Sequence, residues 1–273
     1  MKSKIILKTP EEIFFIRRSC QILAYVLKEL RQAAKAGISA ADLDKLAREI
    51  TYSFDAEPAF LNYQGYPAAL CVSVNEEVVH ALPSKKKILQ EGDIVSLDYG
   101  VIWPGRKSAD FIQLKNLNYR REKGFYSDAA ITVEVGNVSP TKKKLVQVTK
   151  ESLEGAISVL KPGVRTGDIG FTIQSFVESF GFQVVRDLVG HGVGCQLHED
   201  PEIPNWGMPR SGVIFKKNMV VAIEPMISLK DKYVQLGLDG YAYLTVHRSP
   251  AAHFEKTILV TQNGCEVLTQ WDK

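Results

Sequence analysis

A chain of 273 residues with 45 % apolar and 24 % charged residues has the composition of a soluble globular protein, with material for one large core or two small ones. Its net charge of +3 gives no overall pull toward nucleic acid, and no apolar run approaches the roughly 18 residues of a membrane span. Four dispersed cysteines without a CxxC pair exclude a disulfide framework and a zinc finger, and the first apolar run is too short for a signal peptide, so the expected setting is reducing and cytoplasmic.

In chain order, Thr9–Pro10–Glu11–Glu12 reads as a helix start, with a threonine cap, a proline at the first helical position and acids in the first turn. The helix is expected to run over 13–36, with Ile16, Cys20, Leu23, Leu27 and Leu30 on one face, and to end at Gly37. Ser39 caps a second helix over 41–54, with Leu43, Leu46 and Ile50 inward. A β-like alternation follows at Leu70, Val72 and Val74, then a basic turn at 85–87 and a strong strand over 94–99. Asp98 comes late in that strand, where an acid is costly unless paired or coordinated. The stretch 103–124 is rich in Arg, Lys and Asn, and a strand is expected over 127–135. Ser139, Pro140 and Thr141 open a helix over 142–160, Pro162 and Gly163 break the chain, and Thr166 and Asp168 open another to about 180. Strands then alternate with glycines, including 220–223 and 256–260.

Five histidines serve the whole chain, and two of them, His191 and His198, stand among Gly190, Gly192 and Gly194, just before Glu199 and Asp200. Imidazole is the commonest protein ligand for transition metals, and glycine lets backbone pass close to a ligand. The plain alternative is a glycine turn that happens to carry two histidines. What decides between them is whether the chain supplies matching carboxylates.

It does so through an internal repeat. Gly37-Ile38-x-x-x-Asp42-Leu43 returns as Gly163-Val164-x-x-x-Asp168-Ile169, each time after a long amphipathic helix and opening a shorter one. The same offset carries Asp98 onto Glu224, and an offset longer by one residue carries Asp128 onto Glu255. Two acids per half, related by a pseudo-twofold, bring four carboxylates to a shared centre. The halves are expected at about 10–135 and 136–265 of a single domain spanning 1–273. Four like charges in a core raise each other's pKa and oppose folding unless cations join them. Four carboxylates with one imidazole form a mixed O/N set suited to Co, Mn, Fe or Zn, and two such ions suit metal-assisted hydrolysis.

Seven short stretches then carry a family resemblance: NEEVVH at 75–80, GDIV at 92–95 with Leu97 and Asp98, YSD at 126–128, GHGVG at 190–194, LHE at 197–199 with Pro201, IEP at 223–225 and FEKT at 254–257. Together they span most of the chain and resemble the type I methionine aminopeptidases, α+β metallopeptidases of the pita-bread fold, in which two αβ halves surround a curved antiparallel sheet. The short interval between His198 and Glu224 resembles type I members; type II members carry a helical insertion there. The resemblance implies Asp98, Asp128, His191, Glu224 and Glu255 as ligands of two divalent ions, with Asp128 and Glu255 bridging. It implies Glu224 as proton shuttle, His198 as hydrogen-bond donor at the scissile amide and His80 at the first peptide unit of the substrate. Phe60, Tyr63, Tyr66, Cys71, Leu197 and Tyr241 are expected to form the methionine pocket, since aromatic and sulfur groups suit a thioether. The implied substrates are nascent polypeptide N-termini with a small second residue, met at or near the ribosome by a monomeric enzyme with no membrane or specific nucleic-acid partner. The alternatives are an aminopeptidase of other specificity and a metal-free binding module of the same fold.

Two departures stand out. Asp98 and Asp128 are farther apart than in the family, so 103–124 reads as a hairpin insertion, with Arg106, Lys107, Lys115, Arg120, Arg121 and Lys123 expected in a solvated loop. Asp110 lies nearer the family spacing and competes with Asp128 for the bridging role; the repeat and the flanking residues favour Asp128. His253 stands where the family usually has glutamine and is expected to support the ligands from behind, whereas His247 is expected at the surface.

Overall fold

Thr9 closes a capping box at the start of α1 (Pro10–Ala33): its hydroxyl accepts the Glu12 N–H, while the Glu12 carboxylate accepts the Thr9 N–H. This computed structural model describes residues 5–116 and 123–272. Ile16, Cys20, Leu23, Leu27 and Leu30 are all buried on the inner face of α1. The helix stops at Ala33, before Gly37, because the Ala34 N–H closes the last turn onto Leu30 and the chain then turns away. Ser39 caps α2 (Ala40–Ser53) through the Asp42 N–H.

Strand Ile94–Trp103 lies between strands Leu70–Val74 and Phe125–Glu134, antiparallel to both, with α1 and α2 packed against this sheet. All ten residues of Ile94–Trp103 are buried, so it reads as a continuous apolar run interrupted by Asp98. It extends past the expected end at 99, which puts Asp98 in mid-strand.

The second half repeats the plan with α4 (Pro140–Val159) and α5 (Thr166–Ser179), which follow α3 (Ala109–Asn116). Its five-stranded sheet runs Cys265–Val267, Lys256–Val260, Val220–Ile223, Val189–Gly192, Glu199–Pro204 in spatial order. One apolar cluster draws on α1, α2, α4, α5 and both sheets. The architecture is α+β, and among the described residues no helix is long and apolar enough to cross a membrane.

The halves meet along Phe125–Glu134. Ala130 and Glu255 exchange backbone hydrogen bonds, the Glu255 N–H reaching the Ala130 carbonyl at 2.9 Å. The Asp128 N–H donates to Thr257 Oγ1 at 3.1 Å, and that hydroxyl donates to the Asp128 carbonyl at 2.6 Å. Thr132 repeats the arrangement with the His253 backbone. Such a seam satisfies backbone groups that burial would otherwise orphan.

The insertion differs from the expected loop. Strands Ile94–Trp103 and Phe125–Glu134 stay in register to the Trp103–Phe125 pair, so the extra residues emerge at the hairpin tip and leave the ladder intact. They contain α3, whose Leu114 packs with Ile16, Phe125 and Val193. That apolar anchor is why this part forms a helix and is not solvated throughout. Arg106 is exposed and pairs with Glu57. The Lys115 side chain, Arg120 and Arg121 lie outside the described residues.

Candidate active site

Register brings the acids together. Asp98 pairs with Ala130, and Asp128 lies two residues before Ala130 on the same strand, so both carboxylates leave one face of the sheet. Lys256 pairs with Ile223 at the end of its ladder, and Glu255 and Glu224, the residues just beyond that pair, bring their carboxylates together. His191 pairs with Ala222, two residues before Glu224. The strand carrying His191 passes close to its neighbours on both sides. A Cβ on Gly190 would lie 2.5 Å from the Ala222 carbonyl oxygen, and one on Gly192 would lie 2.4 Å from that of Asp200. Glycine is required at both positions for the imidazole to reach the acids.

The result is a compact donor set. Ligand atoms of Asp98, Asp128 and Glu255 lie within 4.8 Å of one another, as do those of His191, Glu224 and Glu255, so Glu255 is common to both groups. His191 Nε2 is 3.4 Å from Glu224 Oε1 and 3.9 Å from Asp128 Oδ2. Its other nitrogen, Nδ1, lies 2.9 Å from the Gly192 carbonyl oxygen. The carbonyl can only accept, so Nδ1 carries the proton and Nε2 presents a lone pair to the carboxylates.

Asp98 Oδ1, Asp128 Oδ1 and Glu255 Oε1 are buried without a hydrogen-bond partner. Buried acceptors are rarely left unsatisfied, and among the described residues no donor side chain comes to them. Burial drives the Asp98 carboxyl up to about 7. Burial also raises Asp128, Glu224 and Glu255 well above the usual carboxylate range, and the neighbouring acids push each further in the same direction. The histidines shift the other way: burial first, and then the charge of His198, lowers His191 to about 3 and His80 to about 4. Crowded anions beside neutral imidazoles form a site for hard or borderline divalent cations.

The centre opens into a cavity of about 810 Å³. Phe60, Tyr63, Tyr66, Cys71, His80, Asp98, Asp128, His191, His198, Glu224, Tyr241 and Glu255 all line it. Cys71 pairs directly with Asp98 across the sheet, so the apolar wall begins beside the acids. Leu197, expected in that wall, is instead packed behind it: it is 2 % exposed, in a cluster with Phe60, Tyr66 and Cys71. Met226 and Tyr243 also line the cavity and were not singled out by sequence; Met226 directly follows the matched stretch 223–225, a proximity that could have found it. Ile6 lines it too, and no local pattern points to it.

His198 Nδ1 lies 2.9 Å from Tyr63 Oη, and its ring stands edge-on to His191 with centroids 4.4 Å apart. His80 sits at φ +60°, a left-handed conformation uncommon for a residue with a side chain and concentrated at functional positions. His253 is 1 % exposed, with Nε2 3.7 Å from Glu224 Oε2 and neither ring nitrogen hydrogen-bonded. Asp110 lies in the first turn of α3, exposed to solvent. His247 is at the surface, where it pairs with the buried Asp231.

The sequence profile described as metallopeptidase family M24 matches residues 15–110 and 117–262. The methionine aminopeptidase of Clostridium acetobutylicum is 42 % identical over 265 residues, 97 % of this chain and 98 % of that protein. Methionine aminopeptidase 1 of Bacillus subtilis is 41 % identical over 266 residues, 97 % of this chain and 99 % of that protein. The crystal structure of the methionine aminopeptidase of Thermotoga maritima superposes with a TM-score of 0.89 at 47 % identity, covering 97 % of this chain and 99 % of that one. The prolidase of Pyrococcus furiosus, at 21 % identity and a TM-score of 0.73 over 97 % of this chain and 65 % of that one, shares the fold. With near-complete coverage in both directions and an acid–imidazole centre in place, the chain belongs to metallopeptidase family M24, among its methionine aminopeptidases.

Proposed function

We propose that this protein is a metal-dependent aminopeptidase that removes the N-terminal methionine from nascent polypeptides, favouring a small second residue. The observation that carries this reading is the set of unpartnered buried oxygens on Asp98, Asp128 and Glu255, clustered with His191 and Glu224 beside an apolar wall. Two divalent ions, drawn from Co, Mn, Fe and Zn, would supply Lewis-acid chemistry at this centre when bound.

Asp98, Asp128, His191, Glu224 and Glu255 would hold those ions. Glu224 takes a proton from the attacking water on its carboxylate and returns it to the departing amine. His198, with Nδ1 accepting from Tyr63 Oη–H, carries its proton on Nε2 and donates it toward the scissile amide oxygen, where charge develops. His80 hydrogen-bonds the first peptide unit of the substrate. The methionine side chain lies against Phe60, Tyr66 and Cys71, with Tyr63 and Tyr241 closing the pocket. His253 stands behind Glu224, with Nε2 3.7 Å from Oε2, and supports that carboxylate by proximity, with no hydrogen bond between them.

The test is metal stoichiometry together with a peptide panel. Purified protein is expected to bind two divalent ions per chain and to release methionine from Met-Gly-Ser faster than from Met-Leu-Ser, and far faster than leucine from Leu-Gly-Ser. Folded protein with neither metal binding nor turnover would sink the proposal; equal rates across the panel would leave an aminopeptidase of other specificity.

A further inference from the structure

We infer that Lys8 is a positioning residue for His198, acting through Glu199; this rests on the reading of His198 as the donor to the reacting amide. Lys8 is 2 % exposed although it lies only two residues before α1. Its ammonium is ion-paired with the Glu199 carboxylate, and both side chains are almost fully buried. Glu199 follows His198 directly in the chain. Its Oε1 accepts the backbone N–H groups of Cys195 at 2.5 Å and Gln196 at 2.8 Å. One carboxylate therefore clamps both ends of the turn that carries His198, with one oxygen on the turn's backbone and the other on Lys8.

Lys8 is itself fixed. Its backbone N–H donates to the Asn218 carbonyl at 2.8 Å, and its ammonium also reaches the Ile6 carbonyl at 3.4 Å. A Cβ on Gly194 would lie 3.0 Å from Lys8 Cε, so the lysine stem runs closely past the turn it anchors. The segment 5–9 thus reaches the active centre at two points: Ile6 lines the cavity, and Lys8 holds the residue next to the catalytic histidine.

The physical consequence follows from burial. A carboxylate removed from water is stable only while paired; deprived of its cation it takes up a proton or moves toward solvent. Either change weakens its hold on the Cys195 and Gln196 N–H groups and frees the turn. His198 would then lose alignment with the amide, and misplacement by about 1 Å costs on the order of 100-fold in rate. The ions, held by residues on other strands, would remain in place.

The experiment is a double-mutant cycle on the full-length, metal-loaded enzyme. Lys8→Met is expected to lower kcat about 10- to 100-fold with KM within about threefold of the parent. In a His198→Ala background the same change is expected to lower kcat by less than about twofold, because the group it positions is gone. An equal loss in both backgrounds would overturn the proposal, as would a Lys8→Met enzyme with parental kcat. Should Lys8→Met fail to fold, the pair Lys8→Met/Glu199→Gln leaves no buried charge but removes the anchor on Lys8 and replaces the charge-assisted bonds to the two N–H groups with weaker neutral ones. That pair is expected to fold with kcat still reduced about 10-fold; parental kcat there would equally overturn the proposal. A His198→Ala enzyme with full kcat would remove His198 from the chemistry, and the Lys8 assignment with it.

Discussion

Tyr63 Oη and His198 Nδ1 are joined at 2.9 Å across the mouth of the cavity. The link fixes one nitrogen of the imidazole and leaves the other for substrate. Tyr63→Phe keeps the ring in the wall and removes only this bond. It is expected to lower kcat about 5-fold, the worth of a hydrogen bond of ~1 kcal/mol, with KM nearly unchanged. Steady-state kinetics on a methionyl tripeptide check this; an unaltered kcat would show that His198 is held without Tyr63.

The crowding of Asp98, Asp128, Glu224 and Glu255 makes metal-free protein strained by like charge. Each divalent ion present at 100-fold over its Kd is expected to add about 2.7 kcal/mol of stability, a rise of roughly 5–10 °C in Tm per site for a chain of this size. Asp98→Asn removes one charge from the cluster. Its metal-free form is expected to melt above the metal-free parent, while its response to added metal is lost. Thermal melts with and without chelator measure both; a metal-free Asp98→Asn protein less stable than its parent would contradict the electrostatic argument.

Asp128 and Asp110 are separated by structure more sharply than by sequence spacing. Asp128→Ala is expected to lower kcat by about three orders of magnitude, ~4 kcal/mol of lost transition-state stabilisation, and Asp110→Ala by less than about twofold, as an exposed helix position. The reverse pattern would assign the bridging role to Asp110.

Leu197 is buried behind the pocket wall. Leu197→Ala is therefore expected to cost about 2–4 kcal/mol of stability through the cavity it leaves, while KM for methionyl peptides stays within about twofold. Denaturant titration and kinetics on the same protein separate the two effects; a large KM rise without loss of stability would return Leu197 to the pocket.

Asp168 accepts the Arg165 N–H at 2.9 Å and the Arg210 N–H at 2.6 Å at the start of α5. These bonds hold its carboxyl below the ordinary value of 3.8. A depressed folded-state pKa means the stabilisation is present above 3.8 and is lost as pH falls through the folded value. Asp168→Asn is thus expected to lower Tm at pH 6, with the gap to the parent narrowing as pH drops below 3.8. A gap that does not change with pH would point to lost geometry and not to charge.

Several elements were legible because their signals are local. Thr9 with Glu12, and Ser39 with Asp42, announce helix starts through side chains that satisfy the first free N–H groups. The strands at 220–223 and 256–260 match their β-former runs residue for residue. Helix and strand ends shifted by a few residues, as with α1 ending at Ala33, because terminal backbone groups choose partners that only the folded chain supplies. The insertion was visible as a length anomaly; that part of it is helical depends on Leu114 meeting Ile16, Phe125 and Val193.

The sequence by itself determined which donor groups the fold could gather: four carboxylates tied by an internal repeat and an imidazole among glycines. Residue type and spacing carry that information, since charge and ligand preference belong to the side chain wherever it stands. Tertiary structure alone decided the rest. It turned His191 Nε2 toward Glu224 by giving Nδ1 to the Gly192 carbonyl, set Leu197 behind the wall and His198 in front of it, and brought Lys8 across 191 residues of chain to Glu199. Those are matters of orientation and long-range approach, and they are fixed by register, backbone clearance and the need to pair a buried charge.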